Sequence, residues 1–350
     1  MARRVSQAAP AAPTAPPQEP LHQRIWYGQH PLGVLMAPLG WLYAATMWLR
    51  RRGYAEGIFH SGGVPVPVIV VGNLSVGGTG KTPFVAWLVA FLQREGYRPG
   101  VVSRGYGGRA SSWPQQVRPD SSPDTVGDEP VLLARRCGCP IAVGPDRVAA
   151  ARALLEHQRC DIIVADDGLQ HYALVRDLEI AIVDGVRRYG NGRCLPAGPL
   201  REARRRLEDV DMIVCNGVPS RGEFRMTLVG HVARRFGEEG GEQSLEAFSG
   251  RRVHAVAGIG NPARFFADLR RHGLEVLEHP FPDHHRFVAA DLEFDDELPV
   301  LMTEKDAVKC EAFAPPHAWF VPVTAEVAPQ LEIRLKHALG GIAADGQETA

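Results

Sequence analysis

Short apolar runs alternate with longer stretches of helical period along most of this chain. Residues 66–71, 100–103, 140–143, 161–165, 178–183 and 212–215 are brief and mostly valine- or isoleucine-rich, the pattern of strands covered on both faces. Between them, residues 83–92, 129–136 and 145–157 have helical character, the first with Pro83 in its opening turn. This alternation predicts an α/β fold, a doubly wound and mostly parallel sheet with ligands at the carboxyl ends of its strands. Residues 217–250 turn polar and rich in Gly and Glu. A second alternation follows, with strands at 253–257, 274–278, 300–303 and 319–323 and helices at 262–272 and 329–339. The expected organisation is a core over 63–245 and a smaller α/β subdomain over 246–350.

The N-terminal part follows another pattern. Residues 6–20 are almost entirely Ala, Pro, Gln and Thr, so 1–20 reads as a disordered lead-in, and the missing apolar block argues against a signal peptide. Residues 31–49 carry no charge and are followed at once by Arg50, Arg51 and Arg52. As a helix this stretch would be about 28 Å long, barely a bilayer core. Pro38 and two glycines weigh against a span, whereas Trp41, Tyr43, Trp48 and the arginines suit a headgroup layer. The expectation for 21–62 is a helical segment that docks on a membrane surface, with packing on the protein's own core as the competing reading.

Composition narrows the function. Of 350 residues, 45% are hydrophobic and 23% charged, ordinary for a globular chain, and the formal net charge of −1 gives no electrostatic case for nucleic acid. The six cysteines form no C-x-x-C pair, so neither a zinc site nor a disulfide framework is expected.

The most informative stretch is Gly72-Asn73-Leu74-Ser75-Val76-Gly77-Gly78-Thr79-Gly80-Lys81-Thr82. It lies between a predicted strand and a predicted helix, the context of a phosphate-binding loop. Its glycines let backbone N–H groups turn toward phosphate oxygens, and the helix start adds its positive end. Lys81 would reach the β- and γ-phosphates of a nucleotide and the Thr82 hydroxyl would serve Mg²⁺. The pattern departs from G-x-x-x-x-G-K-[ST] in one place, Ser75 standing where the first Gly is usual.

Other constellations are less specific. Asp166 and Asp167 end an apolar strand, where a phosphate-loop protein holds Mg²⁺, although Asp-Gly is also a plain turn signal. Gly127-Asp128-Glu129-Pro130 reads either as a helix cap or as a base and metal partner. Asp283-His284-His285 sits in a polar loop that could tune a general base. Ser103-Arg104-Gly105-Tyr106-Gly107 could be a flexible loop or a substrate cover. Residues 187–206 are locally basic, by default a solvated helix face and alternatively a holder of anionic headgroups. Thr303 heads a segment whose bland reading is a helix N-cap.

Together these segments resemble the tetraacyldisaccharide 4′-kinase family, the lipid A kinases of Gram-negative bacteria. The resemblance runs over about residues 20–340 and rests on 72–83, 103–107, 127–130, 166–171, 196–202 and 283–284, in that order. Ser75 agrees with this family. The resemblance implies a P-loop NTPase-like kinase at the cytoplasmic face of the inner membrane, peripheral or monotopic. It would use ATP and Mg²⁺ to phosphorylate the 4′-hydroxyl of a tetraacyldisaccharide 1-phosphate, the lipid A precursor. By the same resemblance Asp128 is the base, assisted by His284. Ser75, Val76, Gly77, Gly78, Thr79, Gly80, Lys81 and Thr82 hold the nucleotide. Thr82, Asp166, Asp167 and Glu129 form the metal environment, and Arg104, Tyr106, Arg201 and Glu202 lie toward the substrate. The rival classes are a membrane-associated ATPase or GTPase switch and an inactive nucleotide-binding scaffold. Partitioning-type ATPases carry a Lys before the Gly pair where this chain has Val76, which counts against the first.

Overall fold

The computed structural model describes residues 20–237 and 241–348, with side chains to 342; the expected lead-in at 1–19 lies outside the described residues. The chain begins with three helices, α1 (Leu21–Tyr27), α2 (Pro31–Leu35) and α3 (Ala37–Ala55). There follow β1 (Val68–Gly72), α4 (Lys81–Arg94), β2 (Pro99–Ser103), β3 (Gln115–Val117), α5 (Pro123–Val126), α6 (Asp128–Cys137), β4 (Ile141–Val143), α7 (Arg147–His157), β5 (Ile162–Asp166), β6 (Leu178–Asp184), β7 (Met212–Asn216) and β8 (Phe224–Val229). After these come β9 (Val232–Arg235), β10 (Glu242–Ser244), β11 (Arg252–Ala257), α8 (Pro262–Arg271), β12 (Glu275–Pro280), β13 (Val300–Thr303), α9 (Glu304–Cys310), β14 (Ala318–Val321), β15 (Thr324–Val327) and α10 (Pro329–Glu348).

Among the described residues these strands form two sheets, ordered β15-β8-β7-β6-β1-β5-β2-β4-β3 and β10-β9-β14-β13-β11-β12. The first is parallel except at its two edges, where β15 and β3 pair antiparallel. The expected parallel, doubly wound character therefore holds. β1 lies between β5 and β6, so the strand order reverses there and opens a crevice beyond its carboxyl end. Period-two alternation assigns the two layers. Ile69 and Val71 pack with Phe84, Leu88 and Leu133 on one face, and Val68 and Val70 with Ala150 and Leu154 on the other. All five residues of β1 are buried, as a two-sided valine-rich strand requires.

The sheets divide the chain differently from a single cut near 245. The crossing to the second sheet falls between β8 and β9, and the chain returns at β15. Leu331, Leu335 and Leu339 of α10 belong to the core of the first sheet. The polar stretch 217–250 holds β8, β9 and β10, which are only partly buried, and β10 is an edge strand exposed at all three residues.

The N-terminal helices have two faces. Gly40 approaches the 194–197 loop so closely that a Cβ there would lie 2.9 Å from the Cys194 carbonyl oxygen. Tyr43 and Ala44 pack on the core beside it. Leu35, Leu39, Leu42 and Leu49 follow helical spacing on the other side and are exposed, with Trp41 and Trp48 next to them. Packing on the protein's own core thus holds for one face of 31–49, and the other face is left exposed. Among the described residues no helix is long and apolar enough to cross a membrane. The three arginines face the protein more than expected: Arg50 donates to the Gln170 carbonyl, Arg51 pairs with Asp209 and Arg52 with Glu56.

Candidate active site

The loop from β1 to α4 is shaped by backbone requirements. Gly72 is needed because a Cβ would meet Leu169 Cγ at 2.7 Å. Gly80, at φ 95°, turns the chain in the left-handed region just before Lys81 opens α4. Asn73 donates to the Ser75 carbonyl at 2.5 Å and accepts from Lys81 Nζ at 3.1 Å, so the loop carries its own brace. Ser75 is buried, and the 199–201 segment pairs alongside it: Val76 N donates to the Pro199 carbonyl and Arg201 N to the Leu74 carbonyl. Asn216, at the end of β7, holds the other flank by donating to the Thr79 carbonyl.

The two strand-end carboxylates have opposite environments. Asp167 is surrounded by cations: Lys81 Nζ stands 3.4 Å away, and Arg201 Nη1 reaches both carboxylate oxygens at 2.9 and 3.1 Å. Burial opposes ionisation, but Lys81 and Arg201 hold this carboxyl well below the usual range. Asp166 is deeper. Burial, then the neighbouring charges of Glu129 and Asp167, push it up to about 7. Ser103 donates to its Oδ2 at 3.3 Å, while its Oδ1 is buried with no hydrogen-bond partner. A carboxylate so short of positive charge fits a divalent cation. Among the described residues no three His, Cys, Asp or Glu side chains form a cage by themselves. That suits Mg²⁺, which is usually held by one or two carboxylates together with phosphate oxygens and water.

Opposite this loop lies the second group. Gly127, at φ 95°, redirects the chain so that α6 starts at Asp128, and acids in its first turn match the helix dipole. Gly127 takes the cap position and Asp128 and Glu129 fill the first turn, so the helix-start reading of 127–130 holds. Asp128 Oδ1 accepts from Glu129 N at 2.9 Å, while Oδ2 lies 3.1 Å from His284 Nδ1. Burial would raise the Asp128 carboxyl, but the His284 hydrogen bond and the charges of Lys305 and Lys309 bring it down to about 2. His284 is the reciprocal case. Burial lowers it and the bond to Asp128 more than offsets this, so its pKa is raised. Lys305 Nζ lies 3.0 Å from Glu129 Oε1 and 3.3 Å from Asp283 Oδ1. Tyr106 covers the His284 ring at a centroid distance of 4.9 Å.

One cleft of about 360 Å³ reaches both groups, with Val76–Pro83, Tyr106, Glu129, Asp167, Arg201, Asp283, His284 and Lys305 on its walls, while Asp128 and Asp166 are buried behind them. Gly260 of the second sheet closes on the loop; a Cβ there would lie 2.6 Å from Gly78 N. Arg104, also expected at the site, is exposed at the end of β2 and is not among the residues of this cleft. Glu202 is buried and occupied by Gln170 and Tyr172, so it braces the 196–202 loop. Of the basic run 187–206, only Arg204–Arg206 lie on a helix, a short 3-10 turn on which Arg204 and Arg205 are exposed. Arg187 donates to the Gly260 carbonyl, Arg188 pairs with Glu223, Arg201 with Asp167 and Arg206 with Glu179. Asn216 and Gly260 carry no expectation from the sequence, Asn73 enters only as part of the 72–82 loop, and Lys305 only within the segment headed by Thr303 and read as a helix cap. The signal available for Asn216 and Lys305 was their place just beyond a strand's carboxyl end, as for Asp166.

A strand–glycine loop–helix carrying Lys81, set across a cleft from a buried carboxylate–histidine pair, defines the class as a phosphotransferase acting from a nucleotide. The comparisons with known proteins make this specific. The tetraacyldisaccharide-1-P 4′-kinase (LpxK) family matches residues 32–340, and the chain belongs to that family. It is 56% identical over 300 residues to the tetraacyldisaccharide 4′-kinase of Nitrosococcus oceani, covering 86% of this chain and 88% of the relative. It is 50% identical over 345 residues to that of Azoarcus sp., covering 95% and 98%. Among solved structures it is similar to LpxK from Aquifex aeolicus, an "apo" form in complex with ATP. The TM-score is 0.73 at 27% identity, over 88% of this chain and 99% of that one.

Proposed function

We propose that this chain transfers the γ-phosphoryl group of ATP to the 4′-hydroxyl of tetraacyldisaccharide 1-phosphate, giving lipid IVA. The observation that carries the reading is the Asp128–His284 pair, formed between the start of α6 and the loop after β12, with His284 on the wall of the cleft that the Lys81 loop also lines. Lys81 and the backbone of 75–80 hold the phosphates. Thr82 and Asp166 would hold Mg²⁺, with Asp167 and Glu129 in its surroundings. The metal would neutralise charge on the transferring group. Asp128, kept ionised, accepts the hydrogen of the sugar hydroxyl and aims its oxygen at the phosphorus. A loose phosphoryl-transfer transition state depends on positioning more than on a strong base, so a depressed pKa is compatible with this role. Tyr106 and Arg201 lie where an acceptor sugar enters, and Arg104 lies on the outer approach.

An acylated acceptor stays in the bilayer, so the enzyme must work at its surface. The exposed stripe of Leu35, Leu39, Leu42, Leu49, Trp41 and Trp48 supports docking at the cytoplasmic face of the inner membrane. The activity test is incubation with γ-labelled ATP, Mg²⁺ and the tetraacyldisaccharide 1-phosphate in detergent. Label in the lipid is the expected result; lipid-independent hydrolysis alone would instead favour an ATPase switch. For docking, Leu39, Leu42 and Leu49 changed together to Ser should release the protein from anionic vesicles while leaving activity in detergent. Unchanged co-sedimentation overturns that part.

A further inference from the structure

We propose that Lys305 is a positioning residue that assembles the Asp128–His284 pair across the two sheets. It does so by donating to Nε2 of His284, which fixes the Nδ1–H of that ring toward Asp128. The inference rests on the kinase reading of this pair. Lys305 Nζ lies 3.4 Å from His284 Nε2. An ammonium can only donate, so the nitrogen facing it must accept. In a neutral imidazole the proton then sits on Nδ1, which is 3.1 Å from Asp128 Oδ2, an acceptor. Both contacts therefore select the same tautomer.

The remaining contacts of Lys305 extend the clamp. Glu129 Oε1, on the residue next to Asp128, and Asp283 Oδ1, on the residue next to His284, lie 3.0 and 3.3 Å from the ammonium. One side chain thus ties the start of α6 to the loop after β12. In this arrangement Glu129 holds Lys305 rather than standing free for a cation. The loop needs such an anchor, because His284 adopts φ 60°, a left-handed conformation costly for a residue with a Cβ. Lys305 is itself well fixed. Thr303 caps α9, and its hydroxyl donates to Asp306 Oδ2 at 2.6 Å. The same oxygen accepts from Gly258 N at 2.8 Å, which fastens the first turn of α9 to the end of β11.

The test compares full-length wild type, Lys305→Met and Lys305→Arg. Long-range ¹H–¹⁵N correlation of the histidine side chains, with His284 assigned by His284→Gln, reads the tautomer without substrate. Steady-state kinetics with the lipid acceptor reads function. At a pH above the titration of His284, where the ring is neutral, wild type should hold the Nδ1–H form. Lys305→Met should populate both tautomers and lose about a hundredfold in kcat. Its KM for ATP should change less than about threefold, because the nucleotide loop is untouched. Lys305→Arg, which still donates, should keep Nδ1–H and recover most of kcat. A His284 that stays wholly Nδ1–H in Lys305→Met overturns the proposal, as does a loss expressed only in KM. If Lys305→Met does not fold, a mixed tautomer in Lys305→Arg overturns it and a single Nδ1–H form supports it. Failure of wild type to phosphorylate the lipid would instead count against the kinase reading, with the tautomer still measurable.

Discussion

The two walls of the cleft are built on different principles. The donor wall is local: Asn73, Lys81 and the glycines between them lie within eleven positions and brace one another. The acceptor wall is assembled from distance, with His284 meeting Asp128 across 156 residues of chain and Lys305 meeting Glu129 across 176. The internal brace of this loop needs only β1 and α4, while Pro199, Arg201 and Asn216, all within the first sheet's half of the chain, hold its flanks. The acceptor wall exists only when the second sheet docks on the first. Nucleotide binding and phosphoryl transfer should therefore be separable by mutation, and the following experiments press on that separation.

The largest effect is expected at Asp128. Asp128→Ala removes the group that orients the hydroxyl and leaves the donor wall intact. It should lower kcat on the order of a thousandfold, with ATP affinity by calorimetry within about threefold of wild type. A comparable loss of ATP binding would join the two walls into one unit and reassign Asp128 to the metal.

Gly260 tests the seam between the walls. Its backbone touches the phosphate loop, and a side chain there would press on Gly78 N. Gly260→Val should push the sheets apart and lower kcat/KM for ATP by about ten- to a hundredfold, with the melting temperature little changed. An unaffected kcat/KM would mean that the seam opens without consequence for the nucleotide.

This contrast also explains what was legible in the sequence. β1, its loop and α4 could be read directly because valine density, glycine spacing and Pro83 are local signals. The ends of β5 and β6 were equally plain. The partnership of Asp128 with His284 came only through resemblance, since no periodicity links positions so far apart. Lys305 was missed for the same reason: its meaning lies in Glu129, Asp283 and His284, none of which neighbours it in the chain. β8 to β10 gave no strand signal because their faces are only partly buried and their residues do not alternate cleanly. The basic run at 187–206 had charge as its visible property, whereas its arginines are placed by individual partners.

The smallest effect distinguishes the walls by pH. His171, behind the donor wall, accepts from Arg147 N at 3.3 Å. Burial, reinforced by the Arg147 charge, lowers its pKa to about 4. The unfolded chain would protonate this ring near its ordinary value of about 6.5, so as pH falls below that the unfolded state takes up the proton first. Stability is therefore lost between about pH 6.5 and 4, and part of the ring faces solvent, so the loss should be about 1 kcal/mol. The Asp128 carboxyl, at about 2, loses its contribution mainly below about pH 4, under that window. Chemical denaturation of His171→Gln should show a shallower decline from pH 7 to 4 than wild type. Equal slopes for wild type and His171→Gln would remove the donor wall as the acid-sensitive side.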